Sequence, residues 1–188
     1  MQNEIKEREN SARKHIIEAF LRIYEEKNIE KITINEIMNL AGYNRNTFYN
    51  HFGSIYDLLE QIENEIAEML GDYMDYRMVK NREEMKDVFI SIYEGKDRIL
   101  KTLMKKDEES RFSAKLSTKF IEVASKKCIF SNDEDINGYV TEYKVAGAVA
   151  CLRRYYRRDE EKEKINIDKV VDIMLELLNS GVWKMKEN

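Results

Sequence analysis

Residues 33–52 read TINEIMNLAGYNRNTFYNHF, and two helix starts fall within this stretch. Thr33 with Glu36 three residues on forms a T-x-x-E capping box, in which each side chain satisfies a free amide of the other's turn. Ile34, Ile37, Met38 and Ala41 recur at helical spacing. Gly42 follows, where a helix C-terminus favours a residue that tolerates positive φ. Asn44 is a second cap, and Arg45 to Phe52 is predicted as the second helix. Phe48 and Phe52, four apart, share one buried face. Arg45, Asn46, Thr47, Tyr49 and Asn50 are left to point outward. Arg and Asn are the side chains that pair bidentately with guanine and adenine edges in the major groove. The hydroxyls of Thr and Tyr and the ring N–H of His suit phosphate oxygens. The stretch is therefore expected to be two short helices joined by a tight turn, the second entering a DNA groove.

Charge placement agrees. No Asp or Glu occurs from Ile37 to Tyr56, where the chain's 36 acids in 188 residues would put about four by proportion. A surface that meets a polyanion has to be free of acids. A plain helical hairpin with an acid-free polar side fits the same spacing. Net charge does not help, since the chain carries −4. Residues 1–52 balance eight bases (Lys6, Arg8, Arg13, Lys14, Arg22, Lys27, Lys31, Arg45) against eight acids (Glu4, Glu7, Glu9, Glu18, Glu25, Glu26, Glu30, Glu36). Binding must come from where the charges sit rather than from their sum.

The sequence from Arg13 to Leu58 resembles, without a gap, the N-terminal domain of TetR-family transcriptional regulators. Arg13, Ile16, Ala19, Tyr24, Thr33, Ile37, Ala41-Gly42, Phe48-Tyr49, His51-Phe52 and Leu58 carry the resemblance. It covers about a quarter of the chain, and the run FYNHF after AGYNRNT is its most specific part. The resemblance implies a dimeric, all-helical repressor released from DNA by a small ligand, with the last two helices pairing against a second copy as a four-helix interface. Two positions depart from the family pattern. Asn28 stands where Gly is usual, and Asn also tolerates the left-handed conformation. Ile55 stands where a Lys usually contacts a phosphate, so that contact is expected to be missing.

Composition bounds the rest. The chain has no proline, seven glycines and 43% hydrophobic residues, which fits helix almost throughout with a real core. Cys128 and Cys151 form no C-x-x-C pair and read as buried thiols of a reducing cytoplasm, with a redox switch as the alternative. The first ten residues are mostly charged or polar rather than a signal peptide. The longest apolar run, Ala146 to Leu152, is far too short to span a membrane. The expected location is the cytoplasm.

About nine helices are expected, in an all-α fold with a three-helix helix-turn-helix head and a larger C-terminal bundle. Residues 1–10 read as a polar, frayed or loosely helical tail; Lys6 and Arg8 suit an arm on DNA, or more plainly a solvated tail. Ser11 to Lys27 carries a wide apolar face built on Ile16, Phe20, Ile23, Ile17, Leu21 and Tyr24. His15 and Glu18 lie one turn apart at metal-ligand spacing, but no other His or Cys is near, and a surface His is the plainer reading. Gly53-Ser54 marks a break, and Ser54 with Asp57 predicts a capping box opening a helix from Ile55 to about Tyr76. Its first turn belongs to the head and its remainder to the body, which makes it the natural lever between them. Further helices are predicted over Arg82 to Tyr93, then after an interruption at Gly95, then from Phe112 past Val123. Lys105 to Ser110 reads as a loop. Ser131-Asn132-Asp133 caps a helix from Asp133 to Arg158, and the last runs from Asn166 to Trp183. Arg153, Arg154, Arg157 and Arg158 surround Tyr155 and Tyr156. They suit nucleic acid, or more plainly a helix C-terminus whose dipole they complement.

The expected organisation is a DNA-binding head over residues 1–53, reaching to about 70 with its connecting helix, and a ligand-binding and dimerisation body over 54–188. Arg45 and Asn46 are expected at base edges, and Thr33, Thr47, Tyr49 and His51 at phosphates. Asn44 and Asn50 complete the DNA-facing set. The expected partners are double-stranded operator DNA, a small-molecule effector and a second copy of the chain, with no membrane, metal or cofactor. Tyr73, Tyr93, Leu103, Met104, Phe112, Phe120, Tyr139 and Tyr143 are candidates to line an effector pocket, or else are simply core. An enzyme on a helical bundle would need clustered inward carboxylates and histidines, and the two histidines both lie in the head. Two further alternatives stay open: an adaptor that kept the fold and lost DNA binding, and an activator.

Overall fold

A computed structural model describes residues 2–77, 82–106, 111–127, 133–158, 161 and 165–180. Helix α1 spans Gln2–Glu26 and is followed by a 3-10 turn at Ile29–Lys31. Then come α2 (Ile34–Ala41), α3 (Arg45–Tyr49), α4 (Ile55–Arg77), α5 (Arg82–Lys105), α6 (Arg111–Lys127), α7 (Glu134–Arg157) and α8 (Ile167–Ser180). No strand occurs among the described residues. Two compact units result, Met1–Glu65 and Ile66–Asn188.

In the first unit α1 packs on α2, and α2 on α3. The apolar positions read from the sequence are the buried ones. Ile16, Phe20, Ile37, Met38, Phe48, Phe52 and Leu58 are all fully enclosed. Burial of such side chains contributes about 1.5–3 kcal/mol each. One polar clamp was not foreseen. Arg13 on α1 donates from Nη1 to Glu65 Oε2 at 3.2 Å and from Nη2 to Gln61 Oε1 at 3.3 Å, both on α4. Its Nη2 also pairs with Glu65 Oε1, and its guanidinium lies 5.5 Å over the Phe52 ring.

In the second unit α7 packs on α6, α5 and α8, and α5 also packs on α8. Leu100, Leu103, Met104, Phe112, Leu116, Val171 and Leu175 form the centre of its core. Ion pairs tie neighbouring helices. Lys119 of α6 reaches Glu68 of α4 at 2.6 Å, and Lys86 of α5 reaches Asp172 and Asp168 of α8 at 3.0 and 3.6 Å. The hydrogen bond that Lys86 donates to Asp172, then the field of Asp168, holds the Lys86 ammonium above its ordinary range. Arg157 Nε donates to the Met104 carbonyl at 2.9 Å, satisfying one of the orphan acceptors in the last turn of α5.

Several elements differ from expectation. Eight α-helices are present among the described residues rather than nine, because α5 runs unbroken through Gly95. A helical glycine costs only about 1 kcal/mol against alanine, and the apolar stripes on both sides of Gly95 outweigh that. Helix α1 starts at Gln2 rather than Ser11: a polar sequence of good helix formers extends a helix already nucleated by its packed half. Helix α3 ends at Tyr49 and continues as a turn, with His51 N–H and Phe52 N–H both on the Phe48 carbonyl. Asn28 is extended, at φ −75° and ψ 149°, since it leads into the 3-10 turn rather than closing a helix in the left-handed form. Ser54 Oγ accepts the Asp57 N–H at 3.1 Å, but the Asp57 carboxylate takes the Gly53 N–H at 2.7 Å. Cys151 is half-buried and free rather than fully buried. Cys128, Ser131, Asn132 and Trp183 lie outside the described residues. Asp133 caps α7 as expected, accepting from the Asp135 and Ile136 amides.

Candidate nucleic-acid interface

The geometry of the motif follows from its caps. Thr33 Oγ1 accepts the Glu36 N–H at 3.3 Å, and Glu36 Oε2 accepts the Thr33 N–H at 3.0 Å, so the predicted capping box forms. Glu36 also takes Lys27 Nζ at 2.5 Å. The Lys27 hydrogen bond first, then those from the Thr33 backbone and hydroxyl, lowers the Glu36 carboxyl to about 2. Gly42 closes α2 in the left-handed conformation at φ 78°, and the Gly42 and Tyr43 amides both return to the Met38 carbonyl at 3.0 Å. The open space around Gly42 would hold a Cβ, so the backbone angle is what requires glycine here. Asn44 Oδ1 then accepts the Thr47 N–H at 3.0 Å and the Thr47 hydroxyl at 3.2 Å, which starts α3. The turn is also braced from α1: His15 Nδ1 lies 3.1 Å from the Tyr43 hydroxyl, with the two rings stacked.

Phe48 and Phe52 anchor α3 to the core, their ring centroids 5.5 Å apart. The opposite side of the helix is solvent-facing. Asn44, Arg45, Asn46, Tyr49 and Asn50 are exposed, and Thr47 and His51 are half-buried. The face is free of carboxylates in sequence from Ile37 to Tyr56, and Arg45 is its one permanent cation. Ile55, half-buried, opens α4 beside it without a charge.

Asn44 to Asn50 of the predicted DNA-facing set lie on α3 and its caps and His51 in the turn that follows, whereas Thr33 caps α2. Thr33 Oγ1 donates to Glu36 Oε2 at 3.0 Å, and Thr47 Oγ1 donates to Asn44, so both hydroxyl hydrogens are engaged within the motif. Tyr49 accepts a hydrogen bond from Arg45 Nη2 at 3.0 Å. His51 sits against the Phe52 ring.

The predicted effector-pocket residues separate into two groups. Leu103, Met104, Phe112 and Phe120 are buried in the body core. Tyr139 and Tyr143 stand on the outer side of α7, 78% and 79% exposed. They share that side with the exposed Ala146, Gly147 and Ala150. The side chains of Tyr73 and Tyr93 lie outside those described. The Arg-rich end of α7 is turned inward in part: besides the Arg157 bond, Arg158 stacks on Tyr155 at 3.7 Å. Among the described residues no three His, Cys, Asp or Glu side chains are grouped as metal ligands.

Two short helices joined by a capped left-handed turn, with an acid-free polar face on the second, form a helix-turn-helix. Residues 16–62 match the family described as bacterial regulatory proteins, tetR family. That match covers 47 of the 188 residues. A Lactococcus lactis protein described as the HTH-type dhaKLM operon transcriptional activator DhaS is 38% identical over 64 residues, 34% of this chain and 34% of that protein. The chain therefore matches about a third of that relative's length. Among solved structures, that of the dihydroxyacetone kinase operon activator DhaS superposes with a TM-score of 0.66 at 19% identity, covering 91% of this chain and 96% of that one. NalD, the secondary repressor of the MexAB-OprM multidrug efflux pump in Pseudomonas aeruginosa, gives 0.66 at 17% identity over 95% and 99% of the two chains. A TetR transcriptional regulator from Streptococcus agalactiae gives 0.64 at 19% identity over 95% and 99%. These three share the fold along almost their whole length.

Proposed function

We propose that the chain works as a homodimeric regulator that binds double-stranded operator DNA through α3 and represses transcription until a small effector releases it. The observation that carries this reading is the α3 face itself: Arg45, Asn46 and Asn50 are exposed, free of nearby acids, and mounted on a helix pinned by Phe48 and Phe52. Arg45 and Asn46 read base edges, and His51 with the caps at Asn44 and Asn50 lines the backbone-facing rim, while the hydroxyls of Thr33 and Thr47 stay within the motif. A second copy pairs through α7 and α8, whose exposed sides hold Tyr139, Tyr143, Ile173 and Leu177. Two-fold symmetry then requires a palindromic operator with half-sites roughly 34–36 Å apart. The effector enters the body near Leu103, Met104, Phe112 and Phe120. Helix α4, which begins in the head and ends in the body, carries the change. Moving the dimer from 99% bound to 99% free takes about 5.5 kcal/mol of differential effector affinity between the two head spacings.

An activator is the second reading, favoured by the DhaS relative, which is named an activator. It needs the same α3 chemistry and differs only in where the operator sits relative to the promoter.

Selection of binding sites from randomised duplex DNA tests the proposal. The expected outcome is a palindrome with half-sites about one helical turn apart. A folded dimer that enriches no sequence at low salt contradicts it and favours the adaptor. A reporter placed behind the selected site separates repression from activation by the sign of the change on deleting the regulator.

A further inference from the structure

We infer that Tyr49 acts on DNA through Arg45, holding the guanidinium in place as one reading unit directed at a guanine in each half-site. The inference rests on the DNA-binding reading above and assigns Tyr49 a positioning role in place of the phosphate contact its residue type suggests. Arg45 opens α3 and Tyr49 closes it, four residues apart, which places the two side chains one above the other on the same face. The contact is double. Arg45 Nη2 donates to the Tyr49 hydroxyl at 3.0 Å, and the guanidinium carbon lies 5.6 Å from the Tyr49 ring centroid. Tyr49 is itself held: its ring stands edge-on to Phe48 at 5.7 Å and 88°, and Phe48 is fully buried. A line of contacts thus runs from the head core through Phe48 and Tyr49 to Arg45.

The chemistry favours guanine. The fork has five N–H donors and no acceptor. One N–H spent on Tyr49 leaves a two-pronged edge, which matches the O6 and N7 acceptors of guanine; adenine offers a donor where guanine has O6. The stretch Ile37 to Tyr56 itself contributes no carboxylate to compete for the guanidinium. An exposed arginine free to sample its rotamers pays that ordering on binding, whereas one already stacked and hydrogen-bonded has paid part of it beforehand. Tyr49 is 49% exposed, so about half of the residue is covered.

The test is a double-mutant cycle of Arg45→Ala and Tyr49→Phe in the full chain, read as affinity across the selected operator and its single-base variants. Arg45→Ala should flatten the preference for guanine at one position per half-site by roughly tenfold or more. Tyr49→Phe keeps the ring and removes the hydroxyl, so it should weaken the same guanine preference by about threefold to tenfold while leaving the other positions unchanged. In the Arg45→Ala background Tyr49→Phe should have no further effect on the base profile. Equal loss on every operator variant, additive with Arg45→Ala, would overturn the inference and make Tyr49 an independent phosphate contact. A wild-type protein that selects no sequence would instead overturn the regulator reading, so the two failures are distinguishable.

Discussion

The Glu36 carboxylate closes the cap of Thr33, accepting both its backbone N–H and its hydroxyl on Oε2 at 3.0 Å. Thr33 was expected at a phosphate, yet its hydroxyl hydrogen is directed at Glu36. Its first role is to hold the start of α2. Thr33→Ala should cost about 1 kcal/mol of unfolding free energy, as cap losses do, measured by urea denaturation.

The same pair sets a pH dependence. The Glu36 carboxyl is lowered from 4.5 to about 2 by Lys27 and Thr33. A carboxylate depressed on folding stabilises fully above its unfolded value and loses that contribution as pH falls through the folded one. The window is therefore between pH 4.5 and about 2. Glu36→Gln should lower the urea midpoint at pH 6, and the gap to wild type should close as pH falls through that window. A gap that stays constant down to pH 2 would show that the charge of Glu36 contributes nothing.

Two helical glycines should respond oppositely to alanine. Gly95 is exposed within α5, and a Cβ there meets nothing within 4 Å. Gly95→Ala should stabilise by about 0.5–1 kcal/mol. At Gly71 a Cβ would lie 2.6 Å from Lys119 Cγ and 2.7 Å from Cε, and Lys119 is held by Glu68. Gly71→Ala should therefore yield no gain, whereas Gly71→Ala in a Lys119→Ala background should recover it. Thermal melts of the four variants decide the matter.

A substitution at Asn44 can test folding and DNA binding separately. Its side-chain oxygen caps α3 through the Thr47 amide and hydroxyl. Asn44→Asp keeps the cap acceptor and should leave stability unchanged or slightly raised. It also places the first carboxylate within an acid-free face, and DNA affinity should fall about tenfold through repulsion of the phosphates. Equal affinity would move Asn44 away from the DNA.

What the sequence made legible was local chemistry. The Thr33–Glu36 box, the left-handed Gly42, the Asn44 and Asp133 caps and the Phe48–Phe52 anchor are all encoded within four residues of where they act. They appear in the structure as read. The misreadings were local rules overridden from a distance. Gly95 is a breaker only where packing does not reward continuation, and the buried Phe89 and Leu100 on either side of it supply that reward. Asp57 skipped Ser54's own amide for that of Gly53 because the turn presents the latter. The Arg13 clamp to Gln61 and Glu65 and the Arg157 bond to Met104 join residues 48 to 53 positions apart, and nothing in the order of residues announces them. The Arg45–Tyr49 contact, by contrast, had a signal available in its four-residue spacing within α3.

The most direct measurement is the affinity of the purified chain for its selected operator by fluorescence anisotropy at two salt concentrations. Wild type should bind with strong salt dependence. Arg45→Ala with Asn46→Ala should lose discrimination between operator and scrambled DNA, about 1–3 kcal/mol per base contact, while remaining a folded dimer. Undiminished discrimination by the folded double variant would contradict the account, because α3 would then not be the element that reads DNA.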